Sequence, residues 1–180
     1  MSKHTVLGFL DECSPQTTAN TRRMWSFDRT PLVKNTTKIR ANTFAILAVN
    51  GTSIATFRER SKQEDIREVL REYKRANPSK RLVIVLDNFS SHHAILVRQY
   101  AAGNNSRLAY LPPYSPDLNP IEQIWRAIKR EVSATFIRDD EHLTATIIAA
   151  FERLAGKRTY WEKWVVKFLI PKYASKMLAQ

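Results

Sequence analysis

Three acidic residues stand where a carboxylate could take part in a reaction. Asp11 and Asp87 each follow a short apolar run, and Glu122 lies in the first turn of a predicted helix. Hard divalent cations such as Mg²⁺ prefer carboxylate oxygens and water as ligands, and two such ions about 4 Å apart can bind the attacking and leaving oxygens of a phosphodiester. Three acids brought together by the fold would therefore suit metal-dependent cleavage of nucleic acid.

Each of these acids also has a structural interpretation. Asp11 could end its strand in a turn, and Asp87 could start an Asx-type turn. Glu122 stands three residues after Asn119, which is the spacing of a capping box, and a carboxylate there also meets the helix dipole favourably. The residues alone favour this capping role of Glu122 over a catalytic one, although one placement could serve both.

The charge of the chain narrows the class of partner. Its 180 residues include 29 Lys and Arg against 17 Asp and Glu, which gives a net charge of +12. Each phosphate that Lys or Arg neutralises releases a condensed counterion, so this excess favours a nucleic-acid partner. A basic protein without such a partner, or one that binds a ribosome or a membrane surface, is the alternative that charge leaves open.

Composition indicates one folded domain of the intracellular type. An apolar fraction of 43% in 180 residues is enough for one well-filled core. The single cysteine, Cys13, excludes an internal disulfide framework and a cysteine-based zinc site. The sequence has no signal-peptide pattern and no apolar run of bilayer length, so we expect an intracellular protein without a membrane partner.

Apolar runs predict the strands. Asn50-Gly51 predicts a hairpin between two of them. The run at residues 82–86 is β-branched and apolar, so it is expected to be a central strand buried on both faces. Strands are predicted at residues 5–10, 22–27, 43–49, 54–57, 82–86 and 108–111.

Helical periods separate the later strands. One helix is expected to begin at the capping-box spacing Ser61 to Glu64, and another at Asn119 as N-cap with Pro120 after it. Further helices are predicted at residues 94–101 and 139–156, followed by a basic, aromatic segment at residues 161–178. This order predicts an α/β sheet that is antiparallel early and parallel later, with the acids at the carboxyl ends of central strands.

Two segments resemble the catalytic core of DDE transposases of the Tc/mariner superfamily. They are VLDNFSSHHA at residues 85–94 and YLPPYSPDLNPIEQIWRAIKRE at residues 110–131. Between Asp87 and Glu122 lie residues 88–121, which is 34 residues and is similar to the spacing in that superfamily. The match is closest to its prokaryotic insertion-sequence branch.

The resemblance implies roles for residues at and beside the three acids. The family's acids hold Mg²⁺ or Mn²⁺ in a two-ion site, and here they correspond to Asp11, Asp87 and Glu122. The accessory positions that the resemblance marks are Glu12, Asn88 and His92. Of these, the histidine could touch a DNA phosphate, lie near the third acid, or fill a capping or core role, and the asparagine could orient a metal-bound water or make the turn.

Basic and aromatic residues could contact DNA. An ordinary solvated face would explain any one of the basic residues equally well, and a buried position is favoured for the tryptophan in the predicted strand at residues 22–27. The residues with this interpretation are Arg22, Arg23, Trp25, Lys129 and Arg130.

The family resemblance also implies the fold and the reaction. The fold is α/β and ribonuclease-H-like, a mixed five-stranded sheet flanked by helices. The reaction is metal-dependent hydrolysis at transposon ends, followed by attack of the freed 3′-hydroxyl on target DNA, in a homodimeric, nucleoid-associated complex. Residues 1–180 are expected to form this catalytic domain, with the N-terminal helix-turn-helix domain absent, so that DNA binding by this chain tolerates many sequences.

Two other functions remain open at this point. One is a ribonuclease-H-like nuclease that cleaves RNA–DNA hybrids without strand transfer. The other is a transposase-derived module that binds DNA without catalysis, although the presence of all three acids weighs against it.

Overall fold

The computed structural model describes residues 4–17 and 35–168, and within them five strands form one mixed sheet. The strand order is β3-β2-β1-β4-β5. β1 pairs antiparallel with β2 and parallel with β4. The edge strand β3 pairs antiparallel with β2, and the edge strand β5 pairs parallel with β4. The strands are β1 (Thr5–Cys13), β2 (Thr43–Ala48), β3 (Ile54–Phe57), β4 (Arg81–Leu86) and β5 (Ser106–Tyr110). The predicted mixed sheet is confirmed.

Helices cover both faces of this sheet. On one face, apolar residues of the first two helices pack against the sheet, and the third and fourth helices pack on the other. We call these the α1/α2 face and the α3/α4 face. The helices are α1 (Gln63–Ala76), α2 (Ile95–Gly103), α3 (Ile121–Ala134), α4 (Asp140–Ala155) and α5 (Glu162–Phe168).

Alternation along β1 distributes its side chains between the two faces. Leu7 and Phe9 belong to the core of the α3/α4 face, whereas Val6 and Leu10 belong to that of the α1/α2 face. Successive strand residues point to opposite faces, so the next two residues, Asp11 and Glu12, must also separate. β4 is buried on both faces as predicted.

The first strand is longer than the sequence predicts. The apolar run ends at Leu10, but β1 continues to Cys13 because β2 pairs with it throughout, with Asp11 opposite Ala45. Pairing of β1 with β4 stops earlier, at Phe9. The prediction of a strand end at Asp11 is wrong, since backbone pairing with β2 outweighs the polarity of the side chains.

The predicted hairpin between β2 and β3 is confirmed, and its asparagine has a second role. β2 and β3 pair antiparallel on either side of Asn50 and Gly51. The Asn50 side chain donates to the Thr5 carbonyl at 2.7 Å and accepts from the Leu7 amide at 3.1 Å. The turn is thereby tied to the start of β1.

The start of α1 differs from prediction, and the start of α4 agrees with it. α1 begins after Lys62 rather than Ser61, because the Asp65 carboxylate accepts from the Lys62 backbone amide at 3.0 Å. α4 begins beside Asp139, where the sequence predicts it, and the Asp139 side chain is the N-cap, accepting from the His142 amide at 2.7 Å.

Some predictions fall on parts of the chain that the structure does not describe. The strand at residues 22–27, with Arg22, Arg23 and Trp25, lies outside the described residues, as does the end of the segment at residues 161–178. Within the described ranges, no helix has the length and apolar character needed to cross a bilayer.

Candidate active site

Asp11 lies inside β1 on the α3/α4 face, where α3 covers it. The indole Nε1–H of Trp125 donates to Asp11 Oδ2 at 3.0 Å, and Trp125 itself is buried. Burial raises the pKa of the Asp11 carboxyl, and the negative charges of Glu122 and Glu12 raise it further, to about 8. The ionised form of this carboxylate therefore lacks positive charge to balance it.

Trp125 was predicted to be a core residue, and its hydrogen bond was missed. It packs near Phe151 in the core of the α3/α4 face, as the helical period predicts. A buried indole N–H usually needs an acceptor, and this rule is the signal that could have pointed to a polar partner. It could not have identified Asp11, which is distant in sequence.

Glu12 points to the opposite face of the sheet. Its Oε1 lies 2.9 Å from Nε2 of His92, and its side chain is mostly buried. Glu12 therefore contacts a histidine and does not line the cleft around Glu122 described below, although it lines a smaller pocket together with Asp11 and Asp87.

His92 is completely buried in a 3₁₀ turn, Ser90–His93, that follows β4. Its Nδ1 lies 2.8 Å from Asp87 Oδ1, opposite the contact of Nε2 with Glu12. Burial lowers the pKa of His92, but hydrogen bonds and charge from Asp87 and Glu12 outweigh it and raise the pKa to about 10. The ring is thus a buried cation between two carboxylates.

Asp87 directly follows β4 and is half exposed. The hydrogen bond from His92 lowers the pKa of this carboxyl, and the amide of Phe89 also donates to Oδ1 at 3.0 Å. The latter contact is the Asx-type turn that the sequence allowed. Asp87 can therefore form this turn and also lie beside the cleft described below.

Asn88 and His93 form a second link beside Asp87. Asn88 Nδ2 donates to the carbonyl of Leu111, and its Oδ1 lies 3.0 Å from Nε2 of His93. The ring of His93 stacks on Tyr110, with centroids 4.1 Å apart. His93 thus helps to fix the asparagine that joins β4 to the segment after β5.

Glu122 lies in the first turn of α3, but it is not the capping residue that its spacing suggests. Pro120, with φ −63° and ψ −22°, occupies the N-cap position, and no side chain caps the helix. The predicted N-cap, Asn119, instead donates Nδ2 to the Leu10 carbonyl at 3.3 Å. The predicted capping box is wrong because Pro120 is the N-cap of α3 and the side chain of Asn119 bonds to the backbone of β1 instead.

One cleft of about 400 Å³ is lined by the three predicted acids together. It also contains the side chain of Asn119, whose buried Oδ1 has no hydrogen-bond partner among the described residues. The lining residues are Asp11, Asp87, Asn88, Leu111, Pro112, Pro113, Tyr114, Ser115, Pro116, Asn119 and Glu122.

The donor set of this cleft fits a hard divalent cation in chemistry and in charge. Its three carboxylates offer only oxygen ligands, and burial together with the negative charges of Glu122 and Glu12 raises the pKa of Asp11, an effect that a bound cation would oppose. Within residues 4–17 and 35–168, no three His, Cys, Asp or Glu side chains are close enough together to coordinate an ion as they stand. Side-chain adjustment would therefore accompany metal binding.

A larger cleft of about 1110 Å³ has a basic rim. Lys129 and Arg130 of α3, both predicted to contact DNA, line it together with Arg40. Lys129 also lies near Cys13, where it lowers a thiol pKa that burial raises. Arg40 was missed, because nothing in the local pattern around it distinguishes it from other surface arginines.

Asp117, five residues before Glu122, lies apart from the acids. It is almost fully exposed, 3.8 Å from Arg126, and it does not line the cleft. The prediction that it is structural, within the loop that leads to α3, agrees with this position.

A mixed five-stranded sheet with helices on both faces, and with acids from two central strands and a following helix in one cleft, defines a ribonuclease-H-like α/β domain. The profile of the DDE superfamily endonucleases matches residues 6–144, which include all three acids. The chain belongs to this family. No curated protein matches the chain in a sequence search.

Solved structures of Mos1 transposase are similar in fold. The paired-end complex with the left transposon end has a TM-score of 0.64 and 20% identity, covering 89% of this chain and 53% of that one. The mariner Mos1 paired-end complex with Mg has a TM-score of 0.61 and 17% identity, covering 91% and 55%. The Mos1 catalytic domain with Raltegravir and Mn has a TM-score of 0.56 and 15% identity, covering 91% and 82%.

These likenesses support the fold that was predicted from the sequence. The chain spans about half the length of the two Mos1 chains in the paired-end complexes. The family is the DDE superfamily, and the narrower assignment to the prokaryotic insertion-sequence branch stays a prediction.

Proposed function

We propose that this chain is the catalytic domain of a DNA transposase. It hydrolyses phosphodiester bonds at transposon ends and joins the freed 3′-hydroxyl to target DNA. The observation that supports this most is the cleft shared by Asp11, Asp87 and Glu122 in a chain of the DDE superfamily. The similar Mos1 structures include complexes with a transposon end and with Mg or Mn.

The residues of the cleft would hold and orient the reacting groups. Asp11, Asp87 and Glu122 would hold Mg²⁺ or Mn²⁺ in a two-ion site, and bound metal activates water and stabilises charge on phosphate oxygens. Trp125 fixes the Asp11 carboxylate through its indole N–H, which limits the conformations that carboxylate must lose on binding. The segment at residues 111–116, with three prolines, forms a stiff wall of the cleft.

DNA would bind along the basic cleft beside the acidic one. Lys129, Arg130 and Arg40 line that cleft, and the net charge of +12 favours phosphate contacts that tolerate many sequences. The sequence predicts further DNA contacts by Arg22, Arg23 and Trp25. The active complex would be a homodimer on DNA, associated with the nucleoid.

The test uses a labelled duplex that carries the inverted repeats flanking the gene, incubated with the protein and Mn²⁺. We expect nicks at the repeat ends and joined products, both lost in a folded Glu122→Gln variant. The matched control is Asp117→Asn, an acid of the same segment outside the cleft, which should cleave normally. Cleavage of RNA–DNA hybrids without joined products would instead indicate a nuclease, and retention of DNA without any cleavage would indicate a binding module.

A further inference from the structure

The adjacent acids of β1 leave the sheet on opposite faces and have different partners. Asp11 faces α3 and the cleft, whereas Glu12 faces the 3₁₀ turn after β4, where it contacts His92. Glu12 does not line the cleft that contains Glu122, although it lines a smaller neighbouring pocket with Asp11 and Asp87. Its place in the fold calls for a role other than that of a fourth acid in the cleft.

His92 is held by both ring nitrogens. Nε2 contacts Glu12 Oε1 at 2.9 Å, Nδ1 contacts Asp87 Oδ1 at 2.8 Å, and the ring has no exposed surface. The edge-on ring of Phe89 lies 5.9 Å away, and Tyr110 donates its hydroxyl to the His92 carbonyl at 3.0 Å. Side chain and backbone are therefore both fixed, and the imidazole cannot rotate without breaking a charged contact.

This arrangement determines which oxygen of Asp87 is available. The Nδ1 of His92 and the amide of Phe89 both contact Oδ1 of Asp87. Oδ2 is therefore the oxygen left for a cation in the cleft that Asp87 lines. A half-exposed aspartate would otherwise sample several rotamers.

We propose that Glu12 and His92 are positioning residues that hold Asp87 for metal binding, with Glu12 fixing the ring and the ring fixing the carboxylate. The inference rests on the proposed function, because it assigns to Asp87 the role of a metal ligand. It extends the site across the sheet, from the cleft to the α1/α2 face. Residues that orient a metal ligand through a hydrogen bond typically affect metal affinity by about 10- to 100-fold.

Two substitutions of His92 separate its two contacts. The amide nitrogen of an asparagine lies near the position of Nδ1, so His92→Asn can still donate to Asp87. The amide nitrogen of a glutamine lies near the position of Nε2, so His92→Gln can still donate to Glu12 but loses Asp87. Glu12→Gln keeps the imidazole of His92 and removes the negative charge that contacts its Nε2. This variant remains informative if the His92 variants fold poorly.

Mn²⁺ affinity of the folded variants, measured by calorimetry without DNA, tests the inference apart from activity. We expect His92→Gln to weaken Mn²⁺ binding by about 10- to 100-fold, with smaller losses for Glu12→Gln and His92→Asn. His142→Gln and Glu72→Gln are the matched controls, because His142 bonds to Arg138, just before α4, and to Thr146 within it, and Glu72 pairs with Arg58. Both controls should bind Mn²⁺ as the wild type does.

A spectroscopic readout on the wild-type protein needs no substitution. In the proposed arrangement, one carboxylate oxygen of Asp87 binds the metal and the other contacts His92. Binding of Mg²⁺ should therefore shift the Nδ1 resonance of His92. The resonances of His142 should not move.

Several outcomes overturn the inference. Wild-type Mn²⁺ affinity in folded His92→Gln and Glu12→Gln would refute it while leaving the proposed function intact. Equal losses in His92→Asn and His92→Gln, or a His92 resonance indifferent to Mg²⁺, would show that the histidine only supports packing. A wild-type protein that neither binds Mn²⁺ nor nicks DNA would refute the proposed function and the inference together.

Discussion

Asp11 and Glu12 are adjacent in sequence, but they lie on opposite faces of the sheet and in different electrostatic surroundings. On the α3/α4 face, Asp11 is buried and lies among other acids, so its pKa is raised to about 8, and its described hydrogen-bond donor is a neutral indole. On the α1/α2 face, Glu12 contacts a buried histidine whose pKa is raised to about 10. The ionised carboxylate is disfavoured on one face and is paired with an imidazolium on the other.

In the proposed function, this difference separates carboxylates that would bind a metal ion from carboxylates that would hold a neighbouring side chain in place. A buried ionised carboxylate without a positive partner is unfavourable, and a cation that binds there removes the penalty. A carboxylate already paired with an imidazolium gains less from a cation and serves better to fix a neighbour. Asp87, which touches both the cleft and His92, joins the two arrangements.

The largest expected contrast is between Asp11→Asn and Glu12→Gln. We expect Asp11→Asn to reduce DNA cleavage by more than about 100-fold, since even supporting residues of metal sites cost about 10- to 100-fold. In the absence of metal, Asp11→Asn should raise the melting temperature and Glu12→Gln should lower it. Cleavage assays and thermal unfolding without metal measure these effects.

The sign of the stability change follows from the pKa of Asp11. A carboxyl whose pKa is raised by folding disfavours the folded state at neutral pH, where the unfolded chain ionises it freely. Asparagine removes this cost and still accepts from the Trp125 indole. A shift of a few degrees is expected, since about 1 kcal/mol corresponds to about 2–4 °C in a chain of this size. A lower melting temperature for Asp11→Asn would contradict the comparison.

Trp125→Phe should have the next largest effect. Phenylalanine keeps most of the apolar contact in the α3/α4 core but removes the N–H that fixes Asp11. We expect cleavage to fall by about tenfold or more while far-UV circular dichroism is unchanged. Trp161→Phe, at the periphery of the same core, is the control that should cleave normally. Normal cleavage by Trp125→Phe would show that the indole contributes only packing.

Removal of basic side chains from the larger cleft should have a smaller effect. Lys129→Gln and Arg130→Gln are each expected to weaken DNA binding a few-fold for all sequences and to reduce the salt slope of log K by about 1. Fluorescence anisotropy over a series of salt concentrations measures both quantities. Arg75→Gln on α1 is the control, and an equal effect there would mean that only the net charge matters.

The smallest effect is expected from Asp117→Asn. This residue shares its sequence segment with Glu122, but it is exposed, and the ion pair that the described residues show for it is with Arg126, at 3.8 Å. Exposed pairs of this kind contribute little to stability. Neither the cleavage rate nor the melting temperature should change measurably. Loss of cleavage would place Asp117 in the site and would weaken the assignment of Glu122.

Local patterns predicted most of the described elements, and the failures have identifiable causes. The period of α4 and its start near Asp139 were predicted correctly because they depend on neighbouring residues alone. The end of β1 was wrong because β2 pairs beyond the apolar run. The cap of α3 was wrong because the Asn119 side chain bonds to β1, which is distant in sequence.

The sequence by itself determined the strands, the helical periods and the excess of positive charge, and through the resemblance it predicted Asp11, Asp87 and Glu122 as one set. These features depend on residue type and on short spacings. The tertiary structure decided which partners each acid has: Trp125 for Asp11, and His92 for both Glu12 and Asp87. Side-chain alternation and strand pairing place adjacent residues on opposite faces and bring distant ones together, so only the folded chain shows where charge is balanced and where it is left for a cation.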